Sequence, residues 1–262
     1  MEVIGYICSL LIGVSLGLIG SGGSILAIPI LVYFFKQTPE QATTHSLFIV
    51  GITSAIAVRN HYRVGNLKIK EALYFAIPSI ISLILSRKYL LPSVPEVIAD
   101  RGMLITKHLL MMLLFSLLMI AASFSMILRF SPVSGKVSVS RLFLLGALIG
   151  IVTGFLGAGG GFLIVPVLIF YAGMSMRNAI ATSLLIITIN SLSGFTGDLI
   201  NKVAFDQRIL ITVAATAIAG MFAGLYFSRK IDGEKLKPLF GWFIFMMGLF
   251  ILARELFFAA GT

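Results

Sequence analysis

Residues 17–31 read GLIGSGGSILAIPIL and residues 154–168 read GFLGAGGGFLIVPVL. Each stretch is a glycine-rich break followed by an apolar run with a proline, and the second lies 137 positions after the first. The offset continues without a gap. ATTHSLFIVGITS from Ala42 aligns with AIATSLLIITINS from Ala179, pairing Ala42 with Ala179, Ser46 with Ser183, Leu47 with Leu184, Ile49 with Ile186, Ile52 with Ile189 and Ser54 with Ser191. The chain therefore reads as two copies of one membrane half. Non-helical backbone at membrane depth survives where it lines a cavity, so paired interruptions in two halves point to a transporter's binding site.

Composition supports the membrane reading. Of 262 residues 58% are hydrophobic and only 11% charged, with a mean hydropathy of +1.05, more apolar surface than one soluble core can hide. The net charge of +10 would suit nucleic acid in a soluble domain. Here the basic residues fall between apolar segments, where they act as orientation and headgroup signals, and no nucleic-acid partner is expected. Cys8 is the single cysteine, so no intrachain disulfide can form, and no cofactor or metal site is expected. The first apolar segment follows Met1 and Glu2 and reads as retained rather than as a cleaved leader.

Apolar segments fall at roughly 3–20, 24–35, 39–58, 70–91 and 107–130, then at 141–157, 161–172, 176–195, 208–228 and 236–257. The stretches Ser24 to Phe35 and Gly161 to Tyr171 cover about 18 Å at 1.5 Å per residue, too little to cross the hydrocarbon core. The first pair in each half is thus expected to be a hairpin or broken helix, its glycine tip near the midplane. Thr38, Pro39 and Gln41 supply an N-cap, a first-position proline and a capping-box partner for the third segment, with Ser175 as the equivalent cap. The expected fold is an all-α integral membrane protein of two inverted-topology repeats, each opening with a Gly-rich broken helix or hairpin. The first repeat, 1–130, is a hairpin plus three spans; 131–140 is a polar linker; 141–262 is the second repeat.

If each hairpin returns to the side it entered, one side holds Arg59, Arg63, Lys68, Lys70, Arg129, Lys136, Arg141, Arg177, Arg229, Lys230, Lys235 and Lys237. The other holds Lys36, Arg87, Lys88, Arg101, Lys107, Lys202, Arg208 and Arg254. The richer side is read as cytoplasmic, with both termini outside a multi-pass cytoplasmic membrane protein.

The acidic residues fall in expected loops or at helix ends, Asp198 lying nearest a membrane segment. Cation pumps, intramembrane aspartyl proteases and Mg²⁺-diphosphate enzymes, which need buried carboxylates, are disfavoured. HExxH, GxSxG and P-loop patterns are absent as well.

What remains suits an anion. Gly20, Ser21, Gly22, Gly23 and Ser24, with Gly157, Ala158, Gly159, Gly160 and Gly161, can expose several backbone N–H groups at the start of a helix, whose positive dipole end points the same way. The alternative is that these glycines let helices pack closely. Ser46 and Thr53, with their mates Ser183 and Asn190, share one helix face, flanked by Ser54 and Ser191. Their polar groups suit either an oxyanion or interhelical hydrogen bonds. Thr43, Thr44 and His45 mark a vestibule, and His45 and Asp198 are the candidates for a proton-linked role, against a structural role for His45.

The doubled glycine motif with its proline, each followed by an A-x-x-x-S-L helix, resembles the sulfite exporter TauE/SafE family of permeases from about Ile12 to Ala253. The resemblance implies eight transmembrane helices in two similar halves. It implies export or equilibration of sulfite, a sulfonate, sulfoacetate or a related organic anion. It also implies that Gly20, Gly22, Gly23, Pro29, Gly157, Gly159, Gly160 and Pro166 lie on the substrate path. One departure is Ala158 opposite Ser21. An alternating-access carrier is the leading reading; an anion channel on the same scaffold is the alternative, and an intramembrane enzyme a distant one. Oligomeric state is not legible in the sequence.

Overall fold

All ten apolar segments become helices in the computed structural model, which describes residues 2–20, 22–100, 104–127, 138–156, 160–228, 230 and 233–259. The first half contributes α1 (Glu2–Ile19), α2 (Gly22–Tyr33), α3 (Pro39–Arg63), α4 (Ile69–Ser93) and α5 (Lys107–Ile127). The second contributes α6 (Val139–Leu156), α7 (Gly161–Tyr171), α8 (Met176–Ile200), α9 (Gln207–Ser228) and α10 (Gly233–Ala259). Among the described residues α3, α4, α5, α6, α8 and α9 are long and apolar enough to cross a membrane. With 12 and 11 residues, α2 and α7 are not. A short antiparallel ribbon, β1 (Val97–Asp100) with β2 (Leu104–Thr106), occupies the long loop between α4 and α5. Outward-facing positions are apolar, as lipid requires: Ile77, Ile81, Leu144, Ile211, Phe222 and Phe250 are all exposed.

Local chemistry explains the helix starts. Thr38 Oγ1 accepts from the Gln41 N–H at 3.3 Å, and Ser175 Oγ accepts from the Asn178 N–H at 3.4 Å, so both caps take up an orphan donor of the first turn. The last turns of α4 depart from α geometry. Ser86–Leu90 forms a π-turn in which the Leu91 N–H reaches the Ser86 carbonyl. Pro92 lies four residues beyond Lys88, whose carbonyl its ring would crowd in a regular α-helix, which accounts for a departure at this place.

Glycines set which helices lie side by side. On α6, Gly146, Gly150 and Gly154 recur every fourth residue, and a β-carbon on each would overlap the α4 carbonyls of Phe75, Ser79 and Leu83 in turn. On α1, Gly13 and Gly17 abut the backbone of α9 at Ala217 and Met221, while Gly220 and Gly224 of α9 abut Leu10 and Val14. Small residues at this spacing let two backbones approach closely, and dispersion and close packing then hold the pair where no hydrophobic drive exists. Residue numbers rise together along both pairs, so α1 runs parallel to α9 and α6 parallel to α4. α5 and α10 run antiparallel, Gly241 lying against Met126 and Ile127, and Gly248 against Met119 and Ile120. Exchanging the two halves maps this set of pairings onto itself.

The centre is the α3–α8 crossing. Thr44 Oγ1 donates to Asp198, Gly51 abuts Ser191 and Leu192, and Thr188 Oγ1 donates to Ser54 Oγ at 2.9 Å, so the two helices run antiparallel. The numbers in the pairs 44/198, 51/191 and 54/188 sum to 242. With the repeat offset of 137, a residue therefore meets its own mate between Ile52 and Thr53 on α3, and between Ile189 and Asn190 on α8. The near end of the bundle is where α3, α5 and α9 begin and α4 and α8 finish. At the far end the Lys68 N–H, in the α3–α4 turn, donates to Thr182 Oγ1 near the start of α8.

Candidate functional site

The glycine tips are placed by their own backbones. Gly20 (φ +77°) and Gly160 (φ +71°) adopt the left-handed conformation that side chains disfavour. α1 and α2 form an antiparallel hairpin: Gly5 lies against Phe34 and Phe35, and Gly23 against Ile12 and Leu16. Gly22 opens α2, Gly161 opens α7, and Ser24 and Gly161 are buried. Ser21, Gly157, Ala158 and Gly159 lie outside the described residues. Within the quoted stretches the glycines divide their work: Gly17, Gly23 and Gly154 permit close packing, whereas Gly20 and Gly160 permit a turn.

The two breaks do not meet at the midplane, and here the structure corrects the sequence reading. Gly20 rests against Ile180, in the second turn of α8 at the far end. Gly154, just before the other break, accepts from Arg87 Nη1 at 3.4 Å beside Asp198, at the near end of α8. Eighteen residues separate Ile180 from Asp198, about 27 Å along a helix. The reason is length: α1 and α6 each run for 18 residues and pass the crossing before they break.

The polar residues that α3 and α8 carry at their crossing lie inside the bundle. Ser46, Thr53, Ser54, Ser183, Asn190 and Ser191 are fully buried. Thr53 donates to the Ile49 carbonyl at 2.6 Å, Ser54 to Gly51 at 3.0 Å and Ser183 to Ile180 at 2.9 Å. Asn190 Nδ2 donates to Ser79 Oγ at 2.7 Å. Ser46 Oγ, Ser191 Oγ and Asn190 Oδ1 have no hydrogen-bond partner among the described residues. Buried polar atoms are ordinarily paired, so this face holds unspent hydrogen-bonding capacity.

At the near end a cavity of about 510 Å³ is lined by Glu40, Thr44, Arg87, Lys88, Glu96, Lys107, Asp198 and Asn201, among others. Its floor is a buried ion pair. Arg87 Nε donates to Asp198 Oδ1 at 2.7 Å and Nη2 to Asp198 Oδ2, while Thr44 Oγ1 donates to Asp198 Oδ2 at 2.8 Å. The side chains of Arg87 and Asp198 are 8% and 4% exposed. Thr43 Oγ1 lies 3.5 Å from Arg87 Nη2. Lys107, at the start of α5, pairs with Glu40 on the first turn of α3 and stands 3.8 Å from Glu96, tying the rim together. His45 turns elsewhere: Nδ1 donates to the Gln41 carbonyl at 2.7 Å, and Nε2 accepts from the Asp206 N–H at 3.2 Å. Both nitrogens are thus engaged by main chain, which fixes α3 to the loop before α9 and favours the structural role.

At the far end a second cavity, of about 430 Å³, is lined by Ile56, Arg59, Asn60, Arg63, Phe222, Leu225 and Tyr226. It is built from the ends of α3 and α9, whose repeat mates α8 and α4 supply Asp198, Arg87 and Lys88 to the near one. Lys88 corresponds to Leu225, which lines the far cavity, whereas Asp198 corresponds to His61 and Arg87 to Gly224, which are not among its described lining residues, so the two cavities overlap little in position and differ in chemistry.

Arg87 is the residue sequence reasoning missed. At the edge of an apolar run it reads as a headgroup charge. Its inward placement depends on α4 continuing through the π-turn to Ser93, and Pro92 was the one available signal. The reading of an interior almost free of carboxylates changes accordingly, since Asp198 is buried and is held neutralised by Arg87.

Residues 6–251 match the family described as Sulfite exporter TauE/SafE. Among named proteins the chain is similar to a "Probable membrane transporter protein" of Xylella fastidiosa, 30% identical over 260 residues, covering 94% of this chain and 92% of that one. It is also similar to the "Probable membrane transporter protein MJ0441" of Methanocaldococcus jannaschii, 25% identical across 95% of this chain and 93% of that one. A third relative is "Probable membrane transporter protein YdhB" of Bacillus subtilis, 26% identical across 87% and 90%. No solved structure matches the chain.

Proposed function

Given that the chain belongs to the sulfite exporter TauE/SafE family and is a multi-pass membrane transporter, we propose that its cargo is sulfite or a related small sulfur-containing or organic anion, moved by alternating access. The observation that carries this reading is the α3–α8 crossing between two cavities at opposite ends of the bundle, the near one lined by Arg87, Lys88 and Lys107 together with Glu40, Glu96 and Asp198, the far one carrying Arg59 and Arg63. Leu47, Ile49, Val50, Ile186 and Ile187 are fully buried on those two helices, which favours a carrier over an open channel. In this reading the halves are inverted repeats, supported by the antiparallel α3–α8 and α5–α10 pairs. Each glycine tip governs the mouth beside it.

Flux into proteoliposomes tests the reading directly. With sulfite, thiosulfate, sulfate, taurine and sulfoacetate as the panel, at least one anion should show saturable uptake accelerated by the same anion on the opposite side. Uptake that never saturates would return the channel reading, and no uptake at all would remove the substrate class.

The crossing supplies selectivity. Backbone dipoles and neutral side chains replace only part of an anion's lost hydration, so a monoanion is expected to be preferred to a dianion of similar size. Ser46→Ala and Asn190→Leu should each weaken affinity by roughly 1–3 kcal/mol, the cost of an unpaired buried polar partner. Unchanged affinity in both would place the site elsewhere.

Charge distribution sets the proposed orientation. The far end carries Arg59, Arg63, Lys68, Lys70, Arg141 and Arg177, so it faces the cytoplasm and both termini face outward. Reporter fusions at either terminus should be active only outside the cell, and activity of a cytoplasmic reporter there would reverse the assignment.

A further inference from the structure

Arg87 does more than neutralise a buried charge. Its guanidinium lines the 510 Å³ near-end cavity, whose walls also carry Lys88 and Lys107, the latter paired with Glu40 and near Glu96. The fork is filled by a carboxylate of the chain itself, engaged through both Nε and Nη2. A carboxylate and a sulfonate or sulfite group offer a guanidinium the same feature, two oxygens spaced for two parallel N–H bonds. Among the described residues the remaining nitrogen, Nη1, has the 3.4 Å contact with the Gly154 carbonyl, at the foot of the second glycine break.

We propose that Arg87 is the oxyanion-docking residue of the near-end mouth, and that Asp198 is an internal stand-in for the cargo, occupying the fork until a sulfite- or sulfonate-type anion displaces it. This rests on the transporter reading above and names the residue that meets the cargo first. Thr44 belongs to the device, because its hydroxyl donates to Asp198 Oδ2 and holds the stand-in in place. Displacement frees Asp198, at the end of α8, from Arg87 on the π-turn of α4, and so uncouples the two helix ends that form the mouth. π-turns of this kind recur at functional sites. The device belongs to one mouth: at the other, repeat mates put Gly224 and His61 in place of Arg87 and Asp198. The two faces of the transporter therefore differ in how they close.

The sign of one mutational effect separates this from a purely structural ion pair. A competitor that fills the fork lowers affinity by the fraction of time it is bound, so weakening the competitor raises affinity. Sulfite and sulfoacetate binding to the purified protein in nanodiscs should tighten on the order of tenfold in Asp198→Asn. Thr44→Val should tighten it less, and serves as the second reading if Asp198→Asn does not fold. Arg87→Lys keeps the charge but loses the fork, and should weaken binding by roughly tenfold or more. The proposal is overturned if Asp198→Asn or Thr44→Val binds no more tightly than wild type, or if Arg87→Lys binds as wild type does. If wild type binds and transports while these variants match it, the docking role falls and the transporter reading stands. If wild type binds neither anion, both fall.

Discussion

Arg87→Ala is expected to lower the stability of the detergent-solubilised protein by about 3–5 kcal/mol, the usual cost of removing one partner from a buried ion pair. The cause is not the lost attraction alone. Asp198 stays in place, 4% exposed, with the Thr44 hydroxyl as its one remaining side-chain donor among the described contacts, and a carboxylate so placed must be neutralised or drag water in. The double variant Arg87→Ala, Asp198→Ala removes both charges and should recover most of the loss, since a buried pair exchanged as a whole costs little. Thermal melts of the two variants side by side check this. A single variant that melts with wild type would mean the pair is solvated in the native protein, and the near-end cavity would then be an open surface cleft.

The second large effect concerns helix packing. Gly150→Leu should displace α6 from α4, because even its β-carbon would overlap the Ser79 carbonyl, which is rigid main chain and cannot yield as a side-chain tip would. Overpacking of this sort costs about 1–3 kcal/mol when side chains can adjust, and the expectation here is the upper end or beyond. Gly13→Leu tests the equivalent α1–α9 contact at the Ala217 carbonyl. Gly197→Leu is the control: it lies on α8 with nothing within 4 Å of a β-carbon, so its melting temperature should barely move. Equal behaviour of Gly150→Leu and Gly197→Leu would remove close backbone approach as the reason α4 and α6 pair.

Glycines of one motif serve different ends in the folded protein. Gly154 and Gly160 are six residues apart in one motif, yet one is a flat contact surface and the other a left-handed turn. Both uses need a missing β-carbon, so composition does not distinguish them. The distinction depends on which backbone lies opposite.

Much of this protein was legible in one dimension. Hydropathy and the 137-residue offset located ten helices, since lipid demands long apolar runs with their backbone groups satisfied internally, and each such run shows in the sequence. Caps at Thr38 and Ser175, the half-length of α2 and α7, and the polar face from Ser46 to Ser191 were equally local properties, set by residues within a few turns of one another. What only the tertiary structure decided was which distant residues share a place. The breaks at Gly20 and Gly160 looked convergent, but the 18-residue runs before them carry them to opposite ends of α8. Arg87 and Asp198 stand 111 positions apart and looked like two separate interface charges. They meet because close packing of α4 on α6 and the antiparallel crossing of α3 and α8 bring the end of α4 to the end of α8. A buried charge is tolerated only beside its partner, and that partner is chosen by packing.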